Sequence, residues 1–279
     1  MSQRPERTSR SILQRYHERH MEGGQQGYFD TSEGELRVRP EQRLWWAAHR
    51  AKAERLLQLN SSDFFVDLGC GEGFLTLPLA RQAGGSAGVD LAFSALQVLK
   101  QQSDFPAANL RLVVAAGDNI SLVDGCADKL LCNHVLEHVL DDDVVMQEIY
   151  RVVRPGGRVL IGLPLALGPQ IRLLLRLRRW LFPRARRLQL ERVEPGGVVV
   201  ELIGKQSHIR FYSLPAVYDL LERNGFCVLR AEGVGLGWRG RLAGLFRRHR
   251  LLFGLCTALG RLWPGIGDGV LVLAERGAE

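Results

Sequence analysis

One stretch constrains the fold of this chain more than any other. Asp63 to Ala80 reads Asp-Phe-Phe-Val-Asp-Leu-Gly-Cys-Gly-Glu-Gly-Phe-Leu-Thr-Leu-Pro-Leu-Ala. A short apolar run ends on Asp67 and Leu68, glycines follow at 69, 71 and 73, and a second apolar segment opens at Phe74. A buried strand running into a glycine-rich turn and then a helix gives this order. Glycine takes positive φ and has no Cβ, so a ligand can come close to the backbone. The N–H groups that open the helix point toward such a ligand.

The glycine order disfavours a nicotinamide dinucleotide. That fingerprint places its third glycine where this chain has Phe74, and Asp67 just before the loop would repel a pyrophosphate. A cationic, nucleoside-like cofactor with an amino acid end suits the carboxylate better. Gly88-Val89-Asp90-Leu91 comes next, with its acid 17 positions past Gly73 (90 − 73). An acid about 20 residues beyond the loop, on the following strand, is placed to accept both ribose hydroxyls. Val113 to Asn119 is another apolar run ending on Asp118-Asn119, and Lys129 to His138 reads Lys-Leu-Leu-Cys-Asn-His-Val-Leu-Glu-His. Arg151 to Pro164 closes the series.

Taken together, these five ordered segments resemble the class I S-adenosylmethionine (SAM) dependent methyltransferases, in the type 11 small-molecule branch. The resemblance covers roughly 63–164 and, more loosely, 208–229. It implies that Asp67 faces the methionine amino end, and that the backbone of Leu68, Gly69, Cys70, Gly71 and Gly73 passes close to SAM. Asp90, with Leu91 beside it, takes the ribose hydroxyls. Asp118 and the Asn119 backbone meet the adenine amino group, and Asn133 and His134 line the methionine and acceptor side. His134 is the first candidate for a catalytic base and His208 the second; His138 and Glu137, one turn beyond His134, read as structural. Nothing implies a metal.

Alternating strands and helices predict a doubly wound α/β fold with a parallel sheet and basic, helix-rich insertions, and the resemblance implies a seven-stranded, mostly parallel sheet closed by an antiparallel pair. The expected strands are Phe64–Leu68, Ala87–Asp90, Leu110–Ala115, Lys129–Asn133 and Arg158–Gly162. Helices are expected over Glu41–Leu59, Phe74–Gln82 and Phe93–Gln102, and from the Asp141-Asp142-Asp143 run to near Val153. Pro155-Gly156-Gly157 is read as the stop after the last of these. Helix Pro215–Arg223 and a closing antiparallel pair, Cys227–Arg230 with Val270–Ala274, complete the core. The domain reading is an N-terminal lid or helical segment over 1–59, a SAM-binding core over 60–164, a basic insertion over 165–207 acting as a substrate cap, and 208–279 as the rest of the core. A second basic insert lies within that last part, at 236–267.

Charge separates core from appendages. Residues 60–150 hold 13 acids and 4 bases, whereas 168–192 hold 8 arginines and one acid, and 236–263 hold 6 arginines and no acid. The appendages are thus suited to an anionic partner. Gln170 to Phe182, with Arg172, Arg176 and Arg179 at helical spacing, reads as a basic amphipathic helix able to lie in a membrane interface. The expected reaction is methyl transfer to a small, hydrophobic or lipid-like acceptor at an anionic membrane surface, with O-, N- and C-methylation all open. Two rivals stand beside it: an RNA methyltransferase that uses the arginine-rich insertions, and a non-catalytic SAM-binding subunit. Against the first, positions 133–136 read Asn-His-Val-Leu rather than the Asn/Asp-Pro-Pro-aromatic pattern used on base amines. Five scattered cysteines without a Cys-x-x-Cys pair, and an N-terminus without an apolar run, fit a cytoplasmic protein, peripheral on the inner face of a membrane. The oligomeric state is left open.

Overall fold

A computed structural model describes residues 29–30, 35–36, 40–165, 210–234 and 250–278. Two short strands, β1 (Phe29–Asp30) and β2 (Glu35–Leu36), pair antiparallel. Helix α1 (Pro40–Leu57) opens on a proline, which fits there because the first N–H groups of a helix have no internal partner. The wound part follows as β3 (Phe64–Leu68), α2 (Thr76–Ala80), β4 (Gly85–Asp90), α3 (Phe93–Lys100) and β5 (Leu110–Val114). It continues with β6 (Ala127–Asn133), α4 (Asp142–Val152) and β7 (Val153–Pro164). Helix α5 (Leu214–Arg223), β8 (Phe226–Val234), α6 (Arg250–Leu262) and β9 (Gly269–Arg276) complete the described chain.

Seven strands form one mixed sheet in the order β5-β4-β3-β6-β7-β9-β8. β4 pairs in parallel with β3 and with β5, and β8 runs antiparallel to β9. The chain winds outward from β3 to β5 and then returns to β6 on the other side of β3. Ligands of such sheets bind at that reversal, beyond the carboxyl ends of the strands. The chain divides into two compact units, Met1–Leu131 with Glu148–Arg158, and Cys132–Gln147 with Val159–Glu279, and strands β6 and β7 pass from one to the other.

In the first unit Phe65, Val66 and Leu68 of β3 are buried, as are Ala87 and Val89 of β4 and Leu130 and Leu131 of β6. Near-continuous apolar burial is what a sheet covered on both faces requires. Charged side chains pin the amino ends of the strands. The Asp128 carboxylate accepts from the Phe64 N–H at 2.7 Å and from Arg154, and Lys129 bonds Asp63 at 2.7 Å. Arg151 on α4 gathers the segment after β5. It donates to the carbonyls of Ile120 and Leu122, pairs with Glu148 and Asp124, and accepts the Gly125 N–H on its own carbonyl. Glu148 in turn accepts the Ile120 N–H at 2.8 Å.

In the second unit Ser213 caps α5, its Oγ accepting from the Ala216 N–H. Asp143 holds the far end of α5 through Arg223 and Asn224. Helix α6 meets β8 backbone to backbone, because a Cβ on Gly260 would lie 2.5 Å from the Gly233 carbonyl oxygen.

Two expectations change. The helix after the glycine turn is only Thr76–Ala80 rather than 74–82. Pro155-Gly156-Gly157 does not separate helix from strand: β7 starts at Val153, directly after α4, and carries these residues within it, Gly156 at φ +69°. The predicted helix Gln170–Phe182, with residues 166–207 of the basic insertion, and most of the N-terminal segment before Pro40 lie outside the described residues.

Candidate functional site

Three of the loop residues need glycine. Gly69, Gly71 and Gly73 have φ of +78°, +50° and +85°. At Gly71 a Cβ would meet nothing within 4 Å, so the backbone there borders open space. At Gly73 it would lie 2.1 Å from Cδ1 of the buried Leu99, so that glycine also lets α3 close on the loop.

Asp90, at the end of β4, ties this loop to the next strand. Its Oδ2 accepts the Gly71 N–H at 2.8 Å, and its Oδ1 accepts the Ala92 N–H at 2.8 Å. Each carboxylate oxygen has two lone pairs, so these bonds orient the group and leave acceptor capacity for ligand hydroxyls. Exposed apolar surface flanks it. Val114, its register partner on β5, and Phe93, which opens α3, are each about half exposed. Leu91, next to Asp90 in the chain, is partly buried.

Asp67 is nearly fully buried at the carboxyl end of β3, where its Oδ2 accepts the Thr76 hydroxyl at 2.6 Å. Burial, with the charge of Asp90 adding, pushes its carboxyl up to about 7, against the lowering pull of the Thr76 hydrogen bond. The Cys70 thiol is also pushed well up, by burial and then by Asp90 and Asp67. It therefore stays neutral and fills space against Gly88 on β4. Leu68 is buried behind the loop. Asp118 and Asn119 are exposed in the turn after β5, which the Asn119 N–H closes on the Ala116 carbonyl at 3.1 Å. The first unit thus holds Asp67, the glycine loop and Asp90 together, with Asp118 and Asn119 in the turn that follows the strand paired with β4.

This arrangement fits SAM. A buried acid with a raised pKa gains most from a cation, glycine backbone without side chains lets a ligand come close, and an oriented Asp90 flanked by apolar surface suits a ribose and its base.

Asn133 and His134 belong to the second unit, at the end of β6. Asn133 sits against Gly162 of β7, where a Cβ would lie 2.0 Å from its Oδ1. His134 has φ +57°, a left-handed conformation uncommon for a side-chain-bearing residue. Its N–H donates to the Gly162 carbonyl at 2.9 Å. Its Nδ1 lies 2.8 Å from Oε1 of Glu137, whose carboxylate is fully buried. Burial raises the Glu137 pKa, but the His134 hydrogen bond and the charges of His134 and His138 outweigh it and hold the carboxyl below the usual range. An ionised Glu137 makes Nδ1 the donor, which leaves Nε2 as the basic nitrogen. Glu137 Oε2 has no hydrogen-bond partner among the described residues.

The segment Arg210–Tyr212 clamps the turn that carries this pair. The Arg210 N–H donates to the Glu137 carbonyl, and its guanidinium bonds the Val139 and Leu140 carbonyls and Asp142. The Tyr212 hydroxyl lies 3.2 Å from the Leu136 carbonyl and 2.9 Å from Asp142. His208 lies outside the described residues.

Reading the sequence missed the partners. Glu137 is bound to His134 rather than merely buried, and its only signal was the spacing of three. Thr76, Phe93, Arg210 and Tyr212 were not singled out, nor was Glu72, which is buried within the loop itself.

A family profile described as a methyltransferase domain matches residues 66–161. The chain is 31% identical over 185 residues to the demethylmenaquinone methyltransferase of Lactobacillus johnsonii, covering 63% of this chain and 73% of that protein. It is 33% identical over 98 residues to the ubiquinone biosynthesis O-methyltransferase of Cupriavidus pinatubonensis, covering 35% and 39%. The match thus spans about three quarters of the first relative and well under half of the second. Among solved structures, a Listeria monocytogenes protein described as an S-adenosylmethionine dependent methyltransferase superposes with a TM-score of 0.58 at 14% identity, over 82% of this chain and 98% of that one. That likeness is one of fold.

Proposed function

The chain belongs to the class I SAM-dependent methyltransferases, in the type 11 group, and from that premise we propose that it methylates a small, lipid-like acceptor at an ionisable hydroxyl. SAM supplies a methyl group on a positively charged sulfur. Asp67 would hold the cationic methionine end, the backbone of Gly69 to Gly73 would border it, and Asp90 would fix the ribose. Asp118 and Asn119 would take the adenine edge.

The His134–Glu137 pair carries the reading. Positioning alone serves an acceptor that is already nucleophilic, and a base is needed only when the acceptor must lose a proton. His134, held by an ionised Glu137 at 2.8 Å, is built to receive a proton at Nε2. The lipid-like character draws on the relatives, whose names place them on quinones or in quinone biosynthesis.

The test is incubation of the enzyme with methyl-labelled SAM and a fractionated cell extract, followed by mass analysis. Label is expected in a lipid-soluble hydroxyaromatic fraction, as a new methyl ether. Label only in RNA, or in no fraction, overturns the proposal.

Asp67 adds a pH signature. Its carboxyl is raised to about 7 in the folded protein from 3.8, so folding favours its neutral form, and this contribution to the stability of the cofactor-free protein is lost as pH rises from about 4 through 7. A cationic cofactor favours the ionised form. SAM affinity is therefore expected to rise between pH 5.5 and 8, with proton release on binding below about pH 7. Calorimetry in buffers of different ionisation enthalpy measures that release, and Asp67→Asn should abolish it.

A further inference from the structure

We infer that the outer face of α6 docks on an anionic lipid bilayer. Helix α6 is fixed to β8 on one side, where Gly260 touches the Gly233 backbone and Arg261 reaches the fully buried Glu232. At the roughly 100° per residue of an α-helix, Leu255, Ala258 and Leu262 point about opposite to Gly260. Leu255 is 58% exposed, Leu262 69%, and Trp263, just past the helix, 59%; Ala258 is exposed as well. A helix packed on a sheet normally turns polar residues outward. Here the outward stripe is apolar and ends in a tryptophan.

The charge of the segment that carries the stripe selects its occupant. Residues 236–263 hold six arginines and no acid. Arg230 and Arg261 both reach Glu232, so this end of β8 keeps a net positive charge in that cluster. A second copy docking through the same face would bring two segments of net positive charge together. A bilayer of anionic lipid meets both features, taking leucines into the acyl boundary and holding tryptophan and arginine at the headgroup level. The helix has 13 residues, which lets it lie in the interface but not cross, and no helix among the described residues is long and apolar enough to cross a membrane. The choice of occupant rests in part on the lipid-like acceptor proposed above, since such an acceptor is reached from the bilayer, but the test does not involve turnover.

The full chain is sedimented with vesicles of phosphatidylcholine alone and of phosphatidylcholine with phosphatidylglycerol. Binding is expected only to the phosphatidylglycerol vesicles, and to weaken with salt. Leu255→Ser with Leu262→Ser should lower it at least about tenfold, with SAM affinity unchanged as the measure of an intact fold. Brominated lipid should quench a tryptophan component that Trp263→Phe removes. Equal sedimentation of the double variant and the parent overturns the inference, as does equal binding to neutral vesicles. A change from dimer to monomer in the double variant, with vesicle binding kept, assigns the face to a second copy and overturns it too. A failure to find a lipid-soluble methylated product leaves the vesicle result standing, so the two readings fail separately.

Discussion

Replacing Asp90 by alanine is expected to weaken SAM binding at least a hundredfold while far-UV circular dichroism stays unchanged. The carboxylate has two tasks. It accepts the Gly71 and Ala92 N–H groups, each at 2.8 Å, and so holds the glycine loop against β4. In the proposed site it would also accept the ribose hydroxyls. Hydrogen bonds to a charged group contribute about 1.5–3 kcal/mol each, so two ribose hydroxyls account for about 3–6 kcal/mol, or about 10²–10⁴ in affinity. The same change removes a charge that helps raise the Asp67 carboxyl. Whatever binding remains should therefore keep its strength to lower pH than in the parent. Isothermal calorimetry across pH reads both effects, and unchanged affinity removes the ribose assignment.

The second large effect belongs to His134. Alanine there should lower kcat by about 10²–10⁴, the usual range for a general base, and leave SAM affinity within about twofold. Glu137→Gln keeps the shape but removes the charge that fixes the proton on Nδ1. It should also lower kcat with SAM binding retained. If the two side chains act as one unit, the double variant will be no slower than His134→Ala alone, because Glu137 works only through the imidazole. Additive losses would separate them, and a parental rate in His134→Ala would exclude it as the base. An acceptor methyl ether formed at full rate by that variant would point to a nucleophile that needs no proton removed.

The elements that were readable share a cause. Phe64–Leu68 is bounded by a polar turn and a glycine run, so its limits are written in local chemistry, and the observed strand matches residue for residue. The closing pair β8 and β9 was announced by apolar runs after Gly225 and near the end of the chain, although both strands extend further than the runs that marked them. Helix α2 was overestimated because the chain only settles into α-conformation past Gly73, while Phe74 is used against the ring of Trp46 at 4.9 Å. Local pattern cannot show that a ring 28 positions upstream claims that residue. The His134–Glu137 bond was hidden for a similar reason. It needs the left-handed turn at 134 and the single 3-10 turn over Leu136–His138, and neither has a glycine or proline to mark it. The clamp by Arg210 and Tyr212 joins residues about 70 positions apart in sequence, a separation over which pattern has no reach.

The grip of Arg151 bears on how the nucleoside would be received. One guanidinium and its partner Glu148 fasten Ile120, Leu122 and Asp124, the stretch just after Asp118 and Asn119, to the last turns of α4, which belong to the first unit as well. The rim proposed for the base would thus be set before any ligand arrives, with little chain entropy left to lose there on association. Amide hydrogen exchange over 118–124 should already be slow in the ligand-free protein and change little when SAM is added. Breaking the fastening, with Arg151→Leu, should turn a ready-made receptor into one that must freeze on contact, with a more unfavourable entropy of binding as its mark.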